Sequence, residues 1–303
     1  MQGAVHTTGF APELLYPGLK SIFGTSYQDY PKMYPQFMKT VQSDKRFEKV
    51  QEMSGFTIAG VKDEGDSVAY AKLNQGFQKE YNHTTYGIGA VITRELMEDD
   101  QYGIIKQVPK LLSQAMVRTQ EVQGHAVLNN GFDSAYTGAD GVSLFNSAHP
   151  NSGTGGGTQR NMPSTAVDLT QTSLEAALID ISNFRDANNQ RIVINAKTLV
   201  VPIGETFNAK KILETKYKTG SADNDINVIS NLNLGLVVTN YLVDADAWFV
   251  ITDAENGLTF MMRREASLDR DNDISTQNLA LVSTMRFDTG WSDWRGAWGS
   301  QGA

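Results

Sequence analysis

The sequence contains no cysteine among its 303 residues, so neither disulfide bonds nor thiolate-bound metal can stabilise the fold. It has no apolar run that approaches the roughly 18 to 20 residues needed to cross a bilayer. The N-terminal residues lack the basic start and apolar core of a signal peptide. These absences predict a protein made in the cytosol and not inserted into a membrane.

Positive charge is scarce as well, because 26 Lys and Arg residues face 34 Asp and Glu residues and leave a net charge of −8. This balance argues against a dedicated nucleic-acid binder, which must neutralise many phosphates. The hydrophobic share of 40% is nevertheless that of an ordinary folded protein. If the protein encloses nucleic acid, we expect it to do so without sequence-specific binding.

Catalytic and metal-binding motifs are missing too. The histidines lie far apart and show no H-E-x-x-H spacing. Ser147 and His149 are close in sequence but lack a G-x-S-x-G context, so a hydrolase is a distant alternative. We predict no catalytic residue, no cofactor and no metal site, and therefore a protein that is not an enzyme.

An acidic string at Asp269, Asp271 and Asp273 begins like an EF-hand calcium loop. Ile274 and Ala280 occupy the positions at which that loop needs glycine and glutamate, so the calcium interpretation fails. We predict instead a solvated acidic turn, or a face that forms salt bridges with a neighbouring molecule.

What the sequence does contain is a long amphipathic stretch over residues 103–130. Its apolar residues recur at three- and four-residue spacing, the period of one helix face, and they are Ile104, Val108, Leu111, Leu112, Ala115, Met116, Val122 and Ala126. Pro109 should kink this helix or mark its true start. Glu98, Asp99 and Asp100 precede it and are predicted to cap its amino end.

The segments before this helix lack an obvious core of their own. Residues 1–50 combine dense proline with many aromatics, which predicts an arm without long regular elements, packed on its own domain or, as we favour, on a neighbouring subunit. Residues 55–94 alternate in the period of a strand and read as a long hairpin. Because a two-stranded hairpin is marginal alone in water, its apolar face should lie on another surface.

After the helix, residues 131–161 are rich in glycine and serine, with an apolar anchor at Val142, Leu144 and Phe145 and a mobile tip at 153–157. A helix over 173–188 is predicted to be capped by Thr170. Further predicted elements are strands at 191–194, 198–201, 234–242, 248–252, 258–264 and 278–287, and a short helix at 205–215. The Asn256-Gly257 pair predicts a hairpin between the strands that flank it. Trp291, Trp294 and Trp298 are expected to pack and dock the C-terminus. The element order indicates an α+β fold.

Five strings in this order resemble the major head proteins of tailed phages, in particular the Mu-like major head subunit family. They are EDDQYG (98–103), LNNGF (128–132), DGVSLFNSAHPN (140–151), KTLVVP (197–202) and RFDTGWSDWRG (286–296). The string that contains Ala148-His149-Pro150 is the most specific of them. The resemblance covers the chain from about residue 56 onward.

The resemblance implies the Hong Kong 97-type capsid fold. It assigns residues 1–50 to an N-terminal arm, 51–95 to an extended β-hairpin loop, 96–190 to a peripheral domain with a spine helix at 103–130, 191–260 to an axial domain, and 261–303 to a return into the peripheral domain. The implied function is a structural major capsid protein whose hexamers and pentamers form an icosahedral shell around double-stranded phage DNA. An encapsulin-like bacterial compartment that holds an enzyme cargo is the alternative.

The resemblance also implies partners. They are further copies of the chain, a scaffolding protein, the portal and decoration proteins, in a virion assembled in the host cytoplasm. The chain shows no long charged helical prefix, so the scaffold is expected to be a separate protein. The residues that we predict at subunit interfaces are Tyr70, Phe77, Tyr81, Tyr86, Asp269 and Asp271.

Overall fold

The computed structural model describes residues 11–53, 55–56, 58–68, 70, 75–99, 103–153, 156–217, 226–272 and 278–303. The α-helices are α1 (Ala11–Asp29), α2 (Arg94–Asp99), α3 (Ile104–Asn129), α4 (Gln171–Ser182) and α5 (Thr206–Glu214). The strands are β1 (Lys39–Gln42), β2 (Phe47–Met53), β3 (Gln75–Asn82), β4 (Thr84–Ile92), β5 (His149–Pro150), β6 (Thr158–Gln159), β7 (Ala196–Pro202), β8 (Gly235–Thr239), β9 (Trp248–Thr252), β10 (Leu258–Asn272), β11 (Leu279–Trp291) and β12 (Ala297–Ser300). In this part of the chain no helix is both long and apolar enough to span a membrane.

Two four-stranded sheets organise the molecule. The first has the order β1-β10-β11-β4, with β1 parallel to β10 and the other pairs antiparallel. The second has the order β12-β9-β7-β8, with β7 and β8 parallel. The short pairs β2-β3 and β5-β6 stand apart from both sheets. Helices and mixed sheets in this order confirm the predicted α+β class.

The second sheet is buried on both faces because its side chains alternate between two cores. Val200 and Phe249 face the core that also holds α1, α3 and the first sheet. Leu199, Trp248 and Val250 face a second core against α4 and α5. Full burial of side chains of this size stabilises the fold by about 1.5–3 kcal/mol each.

The long helix α3 confirms the central prediction from the sequence. Pro109 lies inside α3, in its second turn, so it does not mark the start of the helix. The predicted acidic cap is wrong. The residue at the cap position is Gly103, with φ +71° and no side-chain hydrogen bond, whereas Asp99 belongs to α2 and Asp100 lies outside the described residues.

The N-terminal arm differs from the prediction in two ways. It contains the 19-residue helix α1 despite Pro17, so the expectation that proline prevents long elements is wrong. Leu19, Phe23 and Tyr27 on α1 are buried in the core formed with α3. These side chains therefore find an apolar surface on their own chain, and not the neighbour's surface that we favoured.

Several element boundaries are also corrected. The predicted hairpin at Asn256-Gly257 is wrong, because β9 and β10 belong to different sheets. Residues 191–194 form only an isolated bridge from Arg191 to Arg185. The helix predicted to reach 188 ends at Ser182, although the Thr170 cap is confirmed by a capping box. Asp269 and Asp271 lie in strand β10, so the predicted acidic turn is wrong for them, and Asp273 lies outside the described residues.

The region predicted as one hairpin divides into two structures. β2 pairs with β3, whereas β4 pairs with β11 and belongs to the first sheet. Long-range pairing decides this division, because the alternation in the sequence does not tell which strand is the partner. Within residues 47–92, the hairpin is therefore the β2-β3 pair with its connecting segment, and β4 is not part of it.

Candidate interaction surfaces

The segment that joins β2 to β3 exposes a set of large apolar side chains, which we call the apolar loop. Its members, with their exposed fractions, are Phe56 (63%), Ile58 (80%), Val61 (98%), Val68 (60%) and Tyr70 (96%). Single exposed apolar residues are ordinary on a protein surface, but five within fifteen positions indicate an interaction surface.

The base of the hairpin, in contrast, is fastened to the body of the molecule. The Glu52 carboxylate accepts hydrogen bonds from Ser152 Oγ (2.6 Å) and the Phe77 backbone N–H (3.3 Å). Its Oε1 lies 3.7 Å from a guanidinium nitrogen of the buried Arg295. Asn188 Nδ2 donates to the carbonyl of Gly55. These contacts hold the base of the hairpin while the apolar loop stays exposed.

The predicted interface residues lie in different surroundings. Tyr70 belongs to the apolar loop, and Phe77 is half-buried at the base of the hairpin. Tyr86 is half-buried, with its ring 4.7 Å from that of Phe287. Tyr81 is fully buried within its own chain, and its hydroxyl lies 2.7 Å from Ser292 Oγ. A neighbouring subunit therefore has no access to Tyr81.

The acidic pair Asp269 and Asp271 is exposed on β10, far along the β10-β11 hairpin. In the register of that hairpin the two residues face Val282 and Ala280. The structure therefore does not bring them together with the residues of the β2-β3 hairpin. It creates two separate candidate surfaces.

His149 from the most specific sequence string is a buried structural residue. Its Nδ1 lies 2.6 Å from Asp140 Oδ2, and its Nε2 lies 3.0 Å from Asn161 Oδ1. Its ring stacks on Trp294 with centroids 4.4 Å apart. Both nitrogens are occupied and Ser147 is exposed, so the geometry does not support the nucleophile-base pair of a hydrolase.

Asn161, at the end of the 131–161 loop, fastens that loop to the rest of the chain. Its buried side-chain amide donates to the carbonyls of Leu144, Trp294 and Ala297, and its Oδ1 accepts from the backbone N–H of Asn146. A buried amide with this many partners cross-links the loop to the C-terminal segment. Trp291, Trp294 and Trp298 are all buried, which confirms their predicted role in packing, although they lie on strands and a 3₁₀ turn and not on one helix.

Two further buried polar side chains, Glu121 and His125, connect α3 to segments that are distant in the sequence. The Glu121 carboxylate accepts hydrogen bonds from the backbone N–H groups of Met33 (2.7 Å) and Tyr34 (3.2 Å). One turn later, His125 Nε2 lies 2.9 Å from Thr239 Oγ1 at the end of β8. Burial raises the pKa of Glu121 and lowers the pKa of His125.

This arrangement predicts acid sensitivity. The folded-state pKa of His125 lies below 6.5, so the unfolded chain binds the proton more tightly, and the free energy of unfolding decreases as pH falls through 6.5. One such group changes stability by at most about 1.4 kcal/mol per pH unit. The raised pKa of Glu121 acts with the opposite sign, because the folded chain takes up that proton first.

We therefore expect the free energy of unfolding to fall less between pH 7.5 and pH 6 in the His125→Gln variant than in the unsubstituted chain. Urea denaturation midpoints at the two pH values measure this difference. His83, whose pKa is also lowered chiefly by burial, keeps part of the acid sensitivity in the variant. Equal losses in both proteins would contradict the assignment to His125.

One surface escaped the sequence analysis. At the end of the second sheet, the 3₁₀ turn after β7 lies beside the loop after β8. The exposed apolar side chains here are Ile203 (55%) in the turn, Phe207 (84%) in α5 and Val243 (87%) in the loop. The sequence signal was the placement of Phe207 beside lysines on the outer face of α5, which is opposite to the usual amphipathic pattern.

No metal centre emerges from the described ranges, in which no group of three or more His, Asp or Glu side chains could hold an ion. The features that the structure does present are extended surfaces. Extended apolar and charged surfaces around a fastened hairpin are what an assembling subunit needs.

Comparison with known proteins identifies the family of the chain. The sequence matches the family described as "Phage capsid protein" over residues 77–299, well over half of the chain. A search of curated proteins finds no match.

Three solved structures share the fold at low identity. The capsid of the cyanophage P-SCSP1u has a TM-score of 0.60 and 10% identity, covering 90% of this chain and 88% of that one. The procapsid of bacteriophage JBD30 gives 0.53 and 13%, covering 97% and 76%. A virus-like particle from Pyrococcus furiosus gives 0.55 and 11%, covering 94% and 98%. With this Hong Kong 97-type fold and the sequence match, the chain belongs to the phage capsid protein family and is a structural subunit of a head shell.

Proposed function

We propose that this chain assembles with copies of itself into hexamers and pentamers that close an icosahedral shell around double-stranded phage DNA. Membership in the phage capsid protein family carries the proposal. The exposed apolar loop supports it, because burying such side chains against a neighbour removes apolar area from water at about 25 cal/mol per Å². The net charge of −8 suits a container that does not bind DNA tightly.

The contacts follow from the two candidate surfaces. The apolar loop, with Tyr70, lies over an adjacent subunit, and Phe77 and Tyr86 contribute where the hairpin meets the body. Asp269 and Asp271 form salt bridges with another copy. Such contacts are heterologous, so their rotation must close to give rings. The domain boundaries at residues 50, 95, 190 and 260 and the Mu-like subfamily belong to the same proposal.

The chain acts in this proposal as a structural protein and not as an enzyme. Its partners are its own copies, a separate scaffolding protein, the portal and decoration proteins. It is a component of the virion, and assembly takes place in the host cytoplasm. The occupied nitrogens of His149 support the absence of a catalytic role.

An encapsulin-like compartment remains the second candidate. The virus-like particle from Pyrococcus furiosus shares the fold over 98% of its chain, so the fold alone is compatible with a shell other than a phage head. The match to the phage capsid family outweighs this likeness, because at 11% identity the structural comparison shows the fold alone. The neighbouring genes separate the two candidates: a portal gene supports the phage head, and a gene for a cargo enzyme supports the compartment.

Electron microscopy of the expressed protein, with and without its scaffold, tests the proposal. We expect closed shells or capsomer sheets. A soluble monomer under all conditions would overturn it.

A further inference from the structure

The helix α5 presents an exposed apolar side chain, which we call the knob, beside two positive charges. Phe207 is 84% exposed, although it lies in the first turn of a helix whose opposite face, with Ala209 and Ile212, is buried. Lys210 and Lys211 follow three and four residues later, so they lie on the same face as Phe207. Among the described residues, neither lysine has an ion-pair partner.

A second place on the chain has the complementary character. A cavity of about 300 Å³ opens between the end of α3 and the loop after β8. Its apolar lining consists of Leu128, Phe132, Leu242, Val243, Ala247 and Phe249. An apolar cavity of about 150 Å³ already holds benzene, so this one has room for a phenyl ring.

The mouth of this cavity is acidic. Asp244 is exposed at the mouth, and Asp246 follows two residues later. A side-chain hydrogen bond with Asp244, together with burial and the charge of Asp244, raises the pKa of Asp246. Two carboxyl groups that crowd each other in this way are relieved by a nearby cation. Within the described ranges, no Lys or Arg forms an ion pair with either carboxyl group.

We propose that Phe207 of one copy inserts into this cavity of the next copy, with Lys210 and Lys211 facing Asp244 and Asp246. Phe207 and the cavity are different sites on the same chain, so a contact between them in two copies is heterologous and passes from one subunit to the next around a ring. A large aromatic side chain in a desolvated pocket, with charges at the rim, has the composition of an interface hot spot. This inference rests on the proposed function and names the contact that closes its rings.

Cross-linking tests the contact directly, because the chain has no cysteine of its own. The variant F207C/V243C places one thiol on the knob and one at the cavity. A short bismaleimide reagent is expected to convert assembled protein into a ladder of covalent oligomers on denaturing gels. The control V193C/V243C, whose residue 193 is 91% exposed elsewhere, should give no ladder.

Substitution gives a second, independent measurement. Phe207→Ser should lower the yield of particles about tenfold or more with an unchanged circular dichroism spectrum, because the side chain is not part of the core. Lys210→Glu with Lys211→Glu should act similarly, and adding Asp244→Lys should restore assembly in part. Restoration by a second charge reversal is not expected from a general loss of solubility.

The outcomes separate this contact from the shell itself. Intact shells from Phe207→Ser together with no ladder from F207C/V243C would overturn the contact and leave the shell function standing. If the variants form neither particles nor a ladder and the unsubstituted protein is monomeric as well, both the contact and the shell function would be overturned.

Discussion

Replacement of residues 56–70 by a Gly-Ser linker of equal length is expected to abolish shell formation and leave the subunit folded. The residues removed include the apolar loop, whose members are 60–98% exposed and contribute little to the core of their own chain. The base of the hairpin stays in place, since Glu52 keeps its contacts with Ser152 and Phe77 outside the replaced segment. The change therefore removes contacts to a neighbour and not contacts within the subunit.

Circular dichroism and thermal unfolding measure the fold of this variant, and sedimentation with electron microscopy measures assembly. Val193→Ser serves as a matched control, because it removes a 91% exposed apolar side chain outside the loop and should assemble normally. Normal shells from the loop replacement would refute the role of the apolar loop. An unfolded variant would show instead that the loop belongs to the subunit core.

His149→Ala is expected to lower the free energy of unfolding by roughly 3 kcal/mol. The substitution leaves the buried carboxyl of Asp140 and the amide oxygen of Asn161 each without one hydrogen-bond partner, at about 1–3 kcal/mol for each group. It also leaves a cavity against Trp294, where the imidazole ring now stacks. Loss of this group should loosen the 131–161 loop from the C-terminal segment.

Ser147→Ala is the control for His149→Ala and should change stability by less than about 0.5 kcal/mol, because Ser147 is exposed. Chemical denaturation of the two variants and the unsubstituted chain gives the comparison. Equal, small effects from both substitutions would contradict the structural role of His149. A normal yield of particles from Ser147→Ala would agree with the absence of a catalytic role for Ser147.

Local sequence patterns predicted the elements that depend on local chemistry. The 3.6-residue periodicity placed α3 within one residue of its observed ends, and the Thr170 cap is present because its side chain meets the Ser173 backbone three residues on. The Leu144-Phe145 anchor is buried as expected. Strand positions were also recovered in most cases, because alternation is a local property.

Local sequence patterns did not predict which distant strands pair with each other. Asn256-Gly257 is a sound hairpin signal, but β9 finds partners in β7 and β12, and β10 pairs with β1 and β11. Pro17 is tolerated in α1 because the burial of Leu19, Phe23 and Tyr27 outweighs the missing backbone hydrogen bond. Tertiary contacts override local propensity at both places.

The sequence by itself determined the absence of disulfides, the α+β class, the long spine and, through five short strings, the resemblance to phage head proteins. Only the tertiary structure decided which apolar side chains stay exposed. Tyr70 and Tyr81 are both aromatic residues of the same predicted hairpin, yet one is 96% exposed and the other fully buried. Exposure depends on which distant residues pack on a side chain, and neither composition nor period records that.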